Sequence, residues 1–131
     1  MKLLLDTHAA IWWFQGNLRL SRRVRDAIDG EASAVFVSAV SAFEIALKYR
    51  LGKLPEASTL AHRFIRMSEE QGFAPLAVTV AHGLAAGGLP IAHRDPFDRL
   101  LIAQAKLEDM VLVTADHAVK KYPVEILWAA R

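Results

Sequence analysis

Short, continuous runs of apolar residues are the feature of this sequence that most restricts its fold. Five of them predict β-strands, at residues 2–5, 34–37, 76–80, 111–113 and 124–127. Most of these runs are unbroken rather than alternating with polar residues, which is typical of strands covered on both faces. Because helical patterns separate them, the chain is predicted to have an α/β fold with a mainly parallel sheet.

Helical patterns fill the intervals between the predicted strands. They predict helices at residues 9–14, 21–28, 41–51, 59–71, 80–86 and 95–108, and a short one at 117–122. Ser21 and Asp95 are predicted N-cap residues, and Gly30, Gly52 and Gly72 each follow the end of a predicted helix. Right-handed crossovers between parallel strands then place helices on both faces of the sheet.

Composition favours one domain with a substantial core. The chain has 131 residues, of which 53% are hydrophobic, and it has no cysteine. This length fits one compact domain. The absence of cysteine excludes disulfides, zinc–thiolate sites, iron–sulfur clusters and cysteine nucleophiles. A metal ion, if one is bound, must therefore be held by oxygen or by imidazole.

Charge by itself does not indicate a partner. The net charge is +2, from 16 basic and 14 acidic residues, which is too small to argue for nucleic-acid binding. Basic residues are concentrated in two segments, one with Arg19, Arg22, Arg23 and Arg25, the other with Lys48, Arg50 and Lys53. Solvated helix surfaces and an RNA path explain each segment equally well.

The apolar segments are short throughout. Asp6 interrupts the apolar start of the chain, so no signal peptide is predicted, and no run is long enough to cross a membrane. We therefore expect a cytoplasmic protein with no membrane association.

Four carboxylates occupy positions at one edge of the predicted sheet. Asp6 and Asp116 follow the first and fourth predicted strands, whereas Glu44 and Asp98 are expected in the first turns of helices. Ligands of open parallel α/β sheets bind beyond the carboxyl ends of the strands. We therefore expect the four side chains to face one pocket.

Each acid also has a purely structural explanation. Glu44 could form a capping box with Ser41, and Asp116 could cap the short helix after it. Asp98 could complement a helix dipole. Asp6 is the hardest to explain in this way, because it ends a very apolar strand. These explanations account for the acids singly but not for their convergence.

Convergent carboxylates have a definite chemistry. They repel one another unless a cation neutralises them. All-oxygen ligation selects hard cations, Mg²⁺ or Mn²⁺. Such ions bind substrate phosphates and promote the attack of water on a phosphodiester. The four acids therefore favour metal-dependent phosphodiester cleavage, with the number of ions left open.

Five stretches that together span nearly the whole chain carry a family resemblance. They are LLLDTH at 3–8, SAVSAFEIALK at 38–48, LGKL at 51–54, HRDPFDRLLIAQA at 93–105 and LVTAD at 112–116. In this order they resemble the PIN-domain ribonucleases, and closely the VapC toxins of bacterial type II toxin–antitoxin pairs. The resemblance implies a single PIN domain over residues 1–131, an α/β/α sandwich around a parallel sheet of about five strands.

The same resemblance implies roles for the acids. Asp6 and Asp98 correspond to the principal metal ligands, and Glu44 and Asp116 to further acids that position metal, water or a second ion. All four are present. The resemblance also implies a Mg²⁺-dependent endoribonuclease, a homodimer, an RNA substrate, and a cognate antitoxin that lays an apolar segment in a groove near the metal site.

Further residues are weaker candidates for binding. Four could contact RNA, with surface charge or a local hydrogen bond as the alternative: Thr7, Arg94, Arg99 and Thr114. The aromatic run 12–14 could line the antitoxin groove or pack in the core, and His8 or His93 could lie near the metal or phosphates. No pattern of aromatic and basic residues typical of stacking on single-stranded RNA is evident.

Functions of a different kind find less support in the sequence. A phosphoryl-transfer enzyme with Asp6 as nucleophile typically has a second aspartate where His8 stands, and a phosphoacceptor domain has paired acids there. No strand is followed by a nucleotide-binding glycine motif. A non-catalytic PIN-like module is expected to lose one of the acids. A housekeeping RNA-processing nuclease stays open.

Overall fold

The protein is built on a five-stranded parallel sheet, seen in a computed structural model that describes residues 1–90 and 95–131. Its strands are β1 (Lys2–Leu5), β2 (Ala34–Ser38), β3 (Ala74–Leu76), β4 (Val111–Thr114) and β5 (Ile126–Trp128). Their order is β3-β2-β1-β4-β5, and each neighbouring pair is parallel. The predicted α/β class with a parallel sheet of about five strands is confirmed.

Helices connect the strands. They are α1 (Thr7–Gln15), α2 (Arg22–Asp29), α3 (Ala39–Arg50), α4 (Ser58–Glu70), α5 (Val80–Gly87) and α6 (Pro96–Leu107), with short 3₁₀ helices at Pro55–Ala57 and His117–Lys121. The predicted N-caps are confirmed, since Ser21 accepts the N–H of Val24 and Asp95 accepts those of Phe97 and Asp98. Among the helices described, none is long and apolar enough to span a membrane.

One predicted strand is displaced. The segment 76–80 was expected to be extended, but β3 ends at Leu76 and α5 begins at Val80. The cause is a capping box in which the Thr79 hydroxyl accepts the N–H of His82, while His82 Nδ1 accepts the N–H of Thr79. Glutamate or glutamine usually holds the position of this histidine, so the signal was missed.

The central strand β1 contains three fully buried residues. Leu3, Leu4 and Leu5 are all 0% exposed. Leu3 and Leu5 contribute to the core cluster that contains residues of α1 and α2, and Leu4 contributes to the cluster that contains residues of α6. The sheet is therefore covered on both faces, as its continuous apolar runs predict.

The parallel topology brings several helix starts to one edge of the sheet. Helices α1 and α3 directly follow β1 and β2, so both begin at the carboxyl edge. Helix α6 leads into β4 and packs against it, so it also begins at that edge. The fold thus places the residue after β1, the first turns of α3 and α6, and the residues after β4 on the same side of the molecule.

A buried polar network fixes α6 relative to α3. The side chain of Gln104 is 0% exposed; its Oε1 accepts the Ser38 hydroxyl at 2.6 Å and its Nε2 donates to the Ala77 carbonyl at 3.2 Å. The Ser38 hydroxyl in turn accepts the N–H of Val40, in the first turn of α3. Buried polar groups with partners on three segments hold those segments in register.

Replacing Gln104 tests this network. Gln104→Leu keeps the side-chain volume but leaves the Ala77 carbonyl and the Ser38 hydroxyl without their partner, so we expect a loss of about 1–3 kcal/mol in the free energy of unfolding. Urea denaturation measures it. The control is Lys106→Leu on the exposed side of the same helix, expected within about 0.5 kcal/mol of wild type. Equal stability of the two variants would show that the network contributes nothing.

Candidate active site

Asp6 lies where β1 ends and α1 begins. Its backbone N–H donates to the Val113 carbonyl of β4 at 2.9 Å, and its carboxylate accepts the N–H of Ala9 at 2.8 Å as the N-cap of α1. The residue is 7% exposed. Strand pairing and helix capping therefore fix the direction of this buried carboxylate.

Glu44 lies in the second turn of α3 rather than in the first. The N-cap of α3 is Ser38, so the predicted capping box between Ser41 and Glu44 is wrong. Instead, the Thr7 hydroxyl donates to Glu44 Oε1 at 2.6 Å and Lys48 Nζ donates to Oε2 at 2.5 Å. Both oxygens of this buried carboxylate are thus held, one by the start of α1 and one by the next turn of α3.

Asp116 follows β4 and is half-buried. It caps the 3₁₀ helix after it by accepting the N–H of Ala118 at 2.9 Å, as predicted. Its own N–H donates to the Thr114 hydroxyl oxygen at 3.1 Å, and the Thr114 side chain also bonds to Asp6. Thr114 therefore links the two acids at the ends of neighbouring strands.

Asp98 lies in the first turn of α6, as predicted, and is partly buried. The preceding residue, Phe97, packs against Phe43, which precedes Glu44, with ring centroids 5.7 Å apart. The start of α6 thus contacts α3 next to Glu44. Fold topology and this contact place Asp98 on the same edge of the sheet as the other three acids.

The electrostatics of the site centre on Asp6. Burial raises its pKa from 3.8 to about 6, against the lowering effect of hydrogen bonds from Thr114 and from the Ala9 N–H. The charges of Asp116 and Glu44 raise this pKa further. Asp116 and Glu44 therefore both lie close enough to repel the charge of Asp6, and a bound cation would relieve that repulsion.

The chemistry of this donor set fits a hard divalent cation. The four side chains offer only carboxylate oxygens, and such ligands suit Mg²⁺ and Mn²⁺. As the side chains stand, no three acidic or histidine residues in the described part of the chain converge closely enough to enclose an ion. An ion that takes few protein ligands and several oxygens from water and phosphate, as Mg²⁺ does, matches this open arrangement.

Asp6 and Asp116 open onto a cleft of about 390 Å³. The remaining residues along it are His8, Trp12, Ala115 and His117. Its volume lies within the range of about 300–1,000 Å³ usual for small-molecule sites. Two of the acids are therefore reachable from solvent through a cleft of nucleotide size.

The weaker binding candidates have varied surroundings. Thr7 is buried, and its hydroxyl is used by Glu44. The Arg99 guanidinium donates to three carbonyls at the end of α5, those of Ala86, Gly87 and Leu89. These bonds suit the negative end of a helix dipole and clamp α5 to α6. His93 and Arg94 lie outside the described residues.

The aromatic run of α1 divides between core and cleft. Trp13 packs against Phe73, and Phe14 packs against both Phe64 and Phe73, with centroid distances of 5.8–6.1 Å. Trp12 contacts two core clusters but also lines the cleft beside Asp6. The prediction of core packing therefore holds for much of this run.

Lys48 lies at the site, although the sequence indicated for it only a solvated helix surface or an RNA path. It neutralises part of the buried charge of Glu44. The signal that could have found it is spacing, since a glutamate followed by a lysine four residues later forms an ion pair on a helix.

Comparison with known proteins agrees with this architecture. Residues 3–125 match the PIN domain family, and the chain belongs to that family. It is 30% identical over 121 residues to a protein named Ribonuclease VapC22 from Mycobacterium tuberculosis, a match that covers 92% of this chain and 91% of that protein. The resemblance drawn from the sequence motifs is thus confirmed.

Solved structures show the same fold. VapBC2 from Rickettsia felis, bound to a promoter DNA fragment, gives a TM-score of 0.72 at 14% identity, over 98% of this chain and 99% of that one. DNA-bound VapBC from Salmonella typhimurium gives 0.67 at 18%, over 97% of each chain. A toxin–antitoxin complex from Klebsiella pneumoniae gives 0.65 at 15%, over 96% of each. These matches confirm the predicted PIN-like fold.

The raised pKa of Asp6 predicts how its replacement alters stability. Between pH 4 and 6 the unfolded chain loses the Asp6 proton before the folded protein does, so the folded state loses stability as pH rises through this window. Above pH 6 the penalty is constant, about 1–3 kcal/mol. Without metal, Asp6→Asn should therefore be more stable than wild type at pH 7.5. At pH 4 the difference in stability between the two should be much smaller.

Urea denaturation in EDTA at the two pH values measures this difference. Asparagine caps a helix about as well as aspartate, so Asp6→Asn removes charge and keeps the cap of α1. The comparison variant Asp6→Ala also loses the cap and should gain about 1 kcal/mol less. A gain from Asp6→Asn that is the same at both pH values would contradict the assigned burial effect.

Proposed function

We propose that the protein is a metal-dependent endoribonuclease and the toxin of a toxin–antitoxin pair. The observation that carries this proposal is the crowding of Asp6, Glu44 and Asp116 at the carboxyl edge of a PIN-family sheet, with Asp98 at the start of α6. RNA as the substrate is supported by the 30% identity to Ribonuclease VapC22.

In this proposal Asp6 and Asp98 are the principal ligands of Mg²⁺ or Mn²⁺, and Asp116 and Glu44 complete the site. A bound divalent cation supplies charge neutralisation and polarises the phosphodiester. Thr114 and the Ala9 N–H hold the Asp6 carboxylate in place and favour its charged form. Because these groups are already oriented, little reorganisation is required when substrate binds.

Glu44 has a different part in the same proposal. Its two oxygens are bonded to Thr7 and to Lys48. These bonds compensate the buried charge of Glu44 and hold its carboxylate at a fixed position next to Asp6. The negative charge of Glu44 therefore acts on the cation site from that fixed position.

Two further functions are compatible with the family. A non-catalytic PIN-like module is disfavoured, because all four acids are intact and three of them interact. A housekeeping RNA-processing nuclease would use the same site. The toxin assignment is supported by the likeness in fold to the toxin–antitoxin complex from Klebsiella pneumoniae.

Asp98→Asn tests the metal-dependent nuclease. Loss of one ligand charge should lower RNA cleavage in Mg²⁺ by about 100-fold or more and weaken Mg²⁺ binding measured by calorimetry. The matched control is Asp109→Asn, in the loop between α6 and β4 at the opposite edge of the sheet. Asp109 has φ +58°, which asparagine also adopts, so this variant should keep both properties.

Normal cleavage and normal Mg²⁺ binding by Asp98→Asn would remove it from the site. Induced expression in cells separates a toxin from a housekeeping nuclease and from a non-catalytic module. Growth arrest by wild type but not by Asp98→Asn at equal protein level supports a catalytic toxin. Arrest by both points to an interaction module, and arrest by neither points to a housekeeping nuclease.

We further propose an antitoxin partner and a homodimer, with an apolar groove of about 410 Å³ between α3, α4, β2 and β3 as the antitoxin site. Ile65 on its wall is 74% exposed, and the buried Ser68 hydroxyl at the groove has no hydrogen-bond partner among the described residues. An apolar segment with a backbone polar group near Ser68 would cover the exposed Ile65 side chain and give the Ser68 hydroxyl a hydrogen-bond partner.

Ile65→Asp should therefore weaken antitoxin binding by about 10-fold or more while RNA cleavage is retained. The measurement is calorimetric titration with the antitoxin, identified as the small protein encoded beside this chain. Leu107→Asp, a matched exposed change on α6 outside the groove, is the control. Unchanged affinity of Ile65→Asp would place the antitoxin elsewhere.

A further inference from the structure

Trp12 separates two neighbouring clefts on one surface of the molecule. One is the cleft that contains Asp6 and Asp116. The other, also of about 390 Å³, is lined by Trp12 and by residues of two distant segments, Asn17, Leu18, Arg19, Ala130 and Arg131. The shared tryptophan makes the acids and the two arginines parts of one continuous surface.

We propose that this surface binds single-stranded RNA, with a base stacked on Trp12 and the backbone phosphates directed toward Arg19 and Arg131. The surface is called the nucleotide strip here and consists of Asp6, His8, Trp12, Arg19, Asp116, His117 and Arg131. This inference rests on the proposed ribonuclease function and names the part of the site that holds the substrate next to the acids.

The aromatic part of the strip is held rigidly. Trp12 is half-buried and packs against two core clusters, so its ring has a fixed position at the cleft. The ring of His117, the residue after Asp116, packs on Trp128 at a centroid distance of 4.7 Å, and Lys120 Nζ lies 3.9 Å from the centroid of Trp128. Fixed planar groups are the platforms on which bases of single-stranded nucleic acids stack.

The cationic part of the strip is built by backbone pairing. The N–H of Arg131 donates to the Arg19 carbonyl at 3.0 Å, and Leu20 and Ala130 form an antiparallel bridge. Both arginines are exposed, and neither forms an ion pair with an acid within the described ranges 1–90 and 95–131. Two arginines that line the same cleft and form no ion pair with an acid in the described ranges suit phosphate oxygens.

The combination favours RNA over a protein segment as the occupant. Exposed arginines lie on one side of the Trp12 ring and the candidate cation site lies on the other. A nucleic acid offers phosphates, a base and a reacting phosphodiester to these three kinds of group. Double-stranded RNA does not suit it, because stacking on a protein ring requires an unpaired, splayed base. A peptide on this surface is the competing outcome of the test.

The test measures RNA binding without cleavage. The probe is a fluorescein-labelled RNA decamer of random sequence, titrated with full-length protein in EDTA and followed by fluorescence anisotropy at several salt concentrations. Trp12→Leu, which keeps apolar packing and removes the platform, should weaken binding about 10-fold. The double variant Arg19→Ala/Arg131→Ala should weaken it and lower the dependence on salt by about two phosphate contacts.

The matched control is Arg22→Ala/Arg23→Ala, which removes two exposed arginines from α2, outside the strip. It should keep wild-type affinity. The arginine pair is on the surface, so the test does not depend on whether Trp12→Leu folds. Equal affinity of the strip and control double variants, or no binding by wild type, would overturn the proposal. Loss of antitoxin binding with unchanged RNA binding would assign the strip to a peptide.

Failure of this inference can be told from failure of the proposed function. If wild type cleaves RNA in Mg²⁺ but the strip variants bind like the control, the nuclease stands and the strip is wrong. If the strip variants bind more weakly but wild type cleaves no RNA, the strip stands and the nuclease assignment is wrong.

Discussion

The burial of a charged group at the junction of β1 and α1 is the constraint on which the rest of the site depends. Asp6 follows three leucines that are wholly buried, pairs with β4 through its backbone and caps α1 through its side chain. Its position is therefore dictated by the centre of the fold. The consequence is a carboxylate whose charge is disfavoured by its surroundings and by two neighbouring acids. A protein keeps such a strained electrostatic arrangement where function requires it.

The surrounding structure compensates this constraint by holding Glu44 and Asp116 through partners of their own. Thr7 and Lys48 bind Glu44, and Thr114 connects Asp116 with Asp6. Behind them, Gln104 ties α6 to the start of α3. The candidate active-site edge is thus supported by side chains that do not line the cleft: Thr7, Thr114 and Gln104 are buried, and Lys48 is partly exposed. These contacts explain how a small domain can position three like charges, those of Asp6, Glu44 and Asp116, next to one another.

Two surfaces of different chemistry lie on the outside of this core. The groove between α3 and α4 is apolar and contains a hydroxyl that has no hydrogen-bond partner among the described residues. The strip across α1 carries arginines, rings and the acids. Within residues 1–90 and 95–131, the two surfaces have no lining residue in common. A protein that both acts on RNA and is neutralised by a partner can therefore use separate surfaces for the two interactions. The fold provides them because α1 and α4 pack on the same sheet from different positions.

Features that depend on residues close together in the chain could be predicted from the sequence alone. Unbroken apolar runs predicted the sheet, local capping patterns predicted the starts of α2 and α6, and the four acids fell in motifs of the PIN family. Local signals misplaced β3, because His82 replaces the usual capping partner, and misread Glu44, whose partners lie in other turns. The nucleotide strip, in contrast, can be recognised only in the tertiary structure. Its rings and cations come from α1, from the segment between α1 and α2, from the segment after β4 and from the end of the chain. The sheet order β1-β4-β5 brings these distant segments together. No pattern along the chain records such a juxtaposition, because it arises from long-range strand pairing.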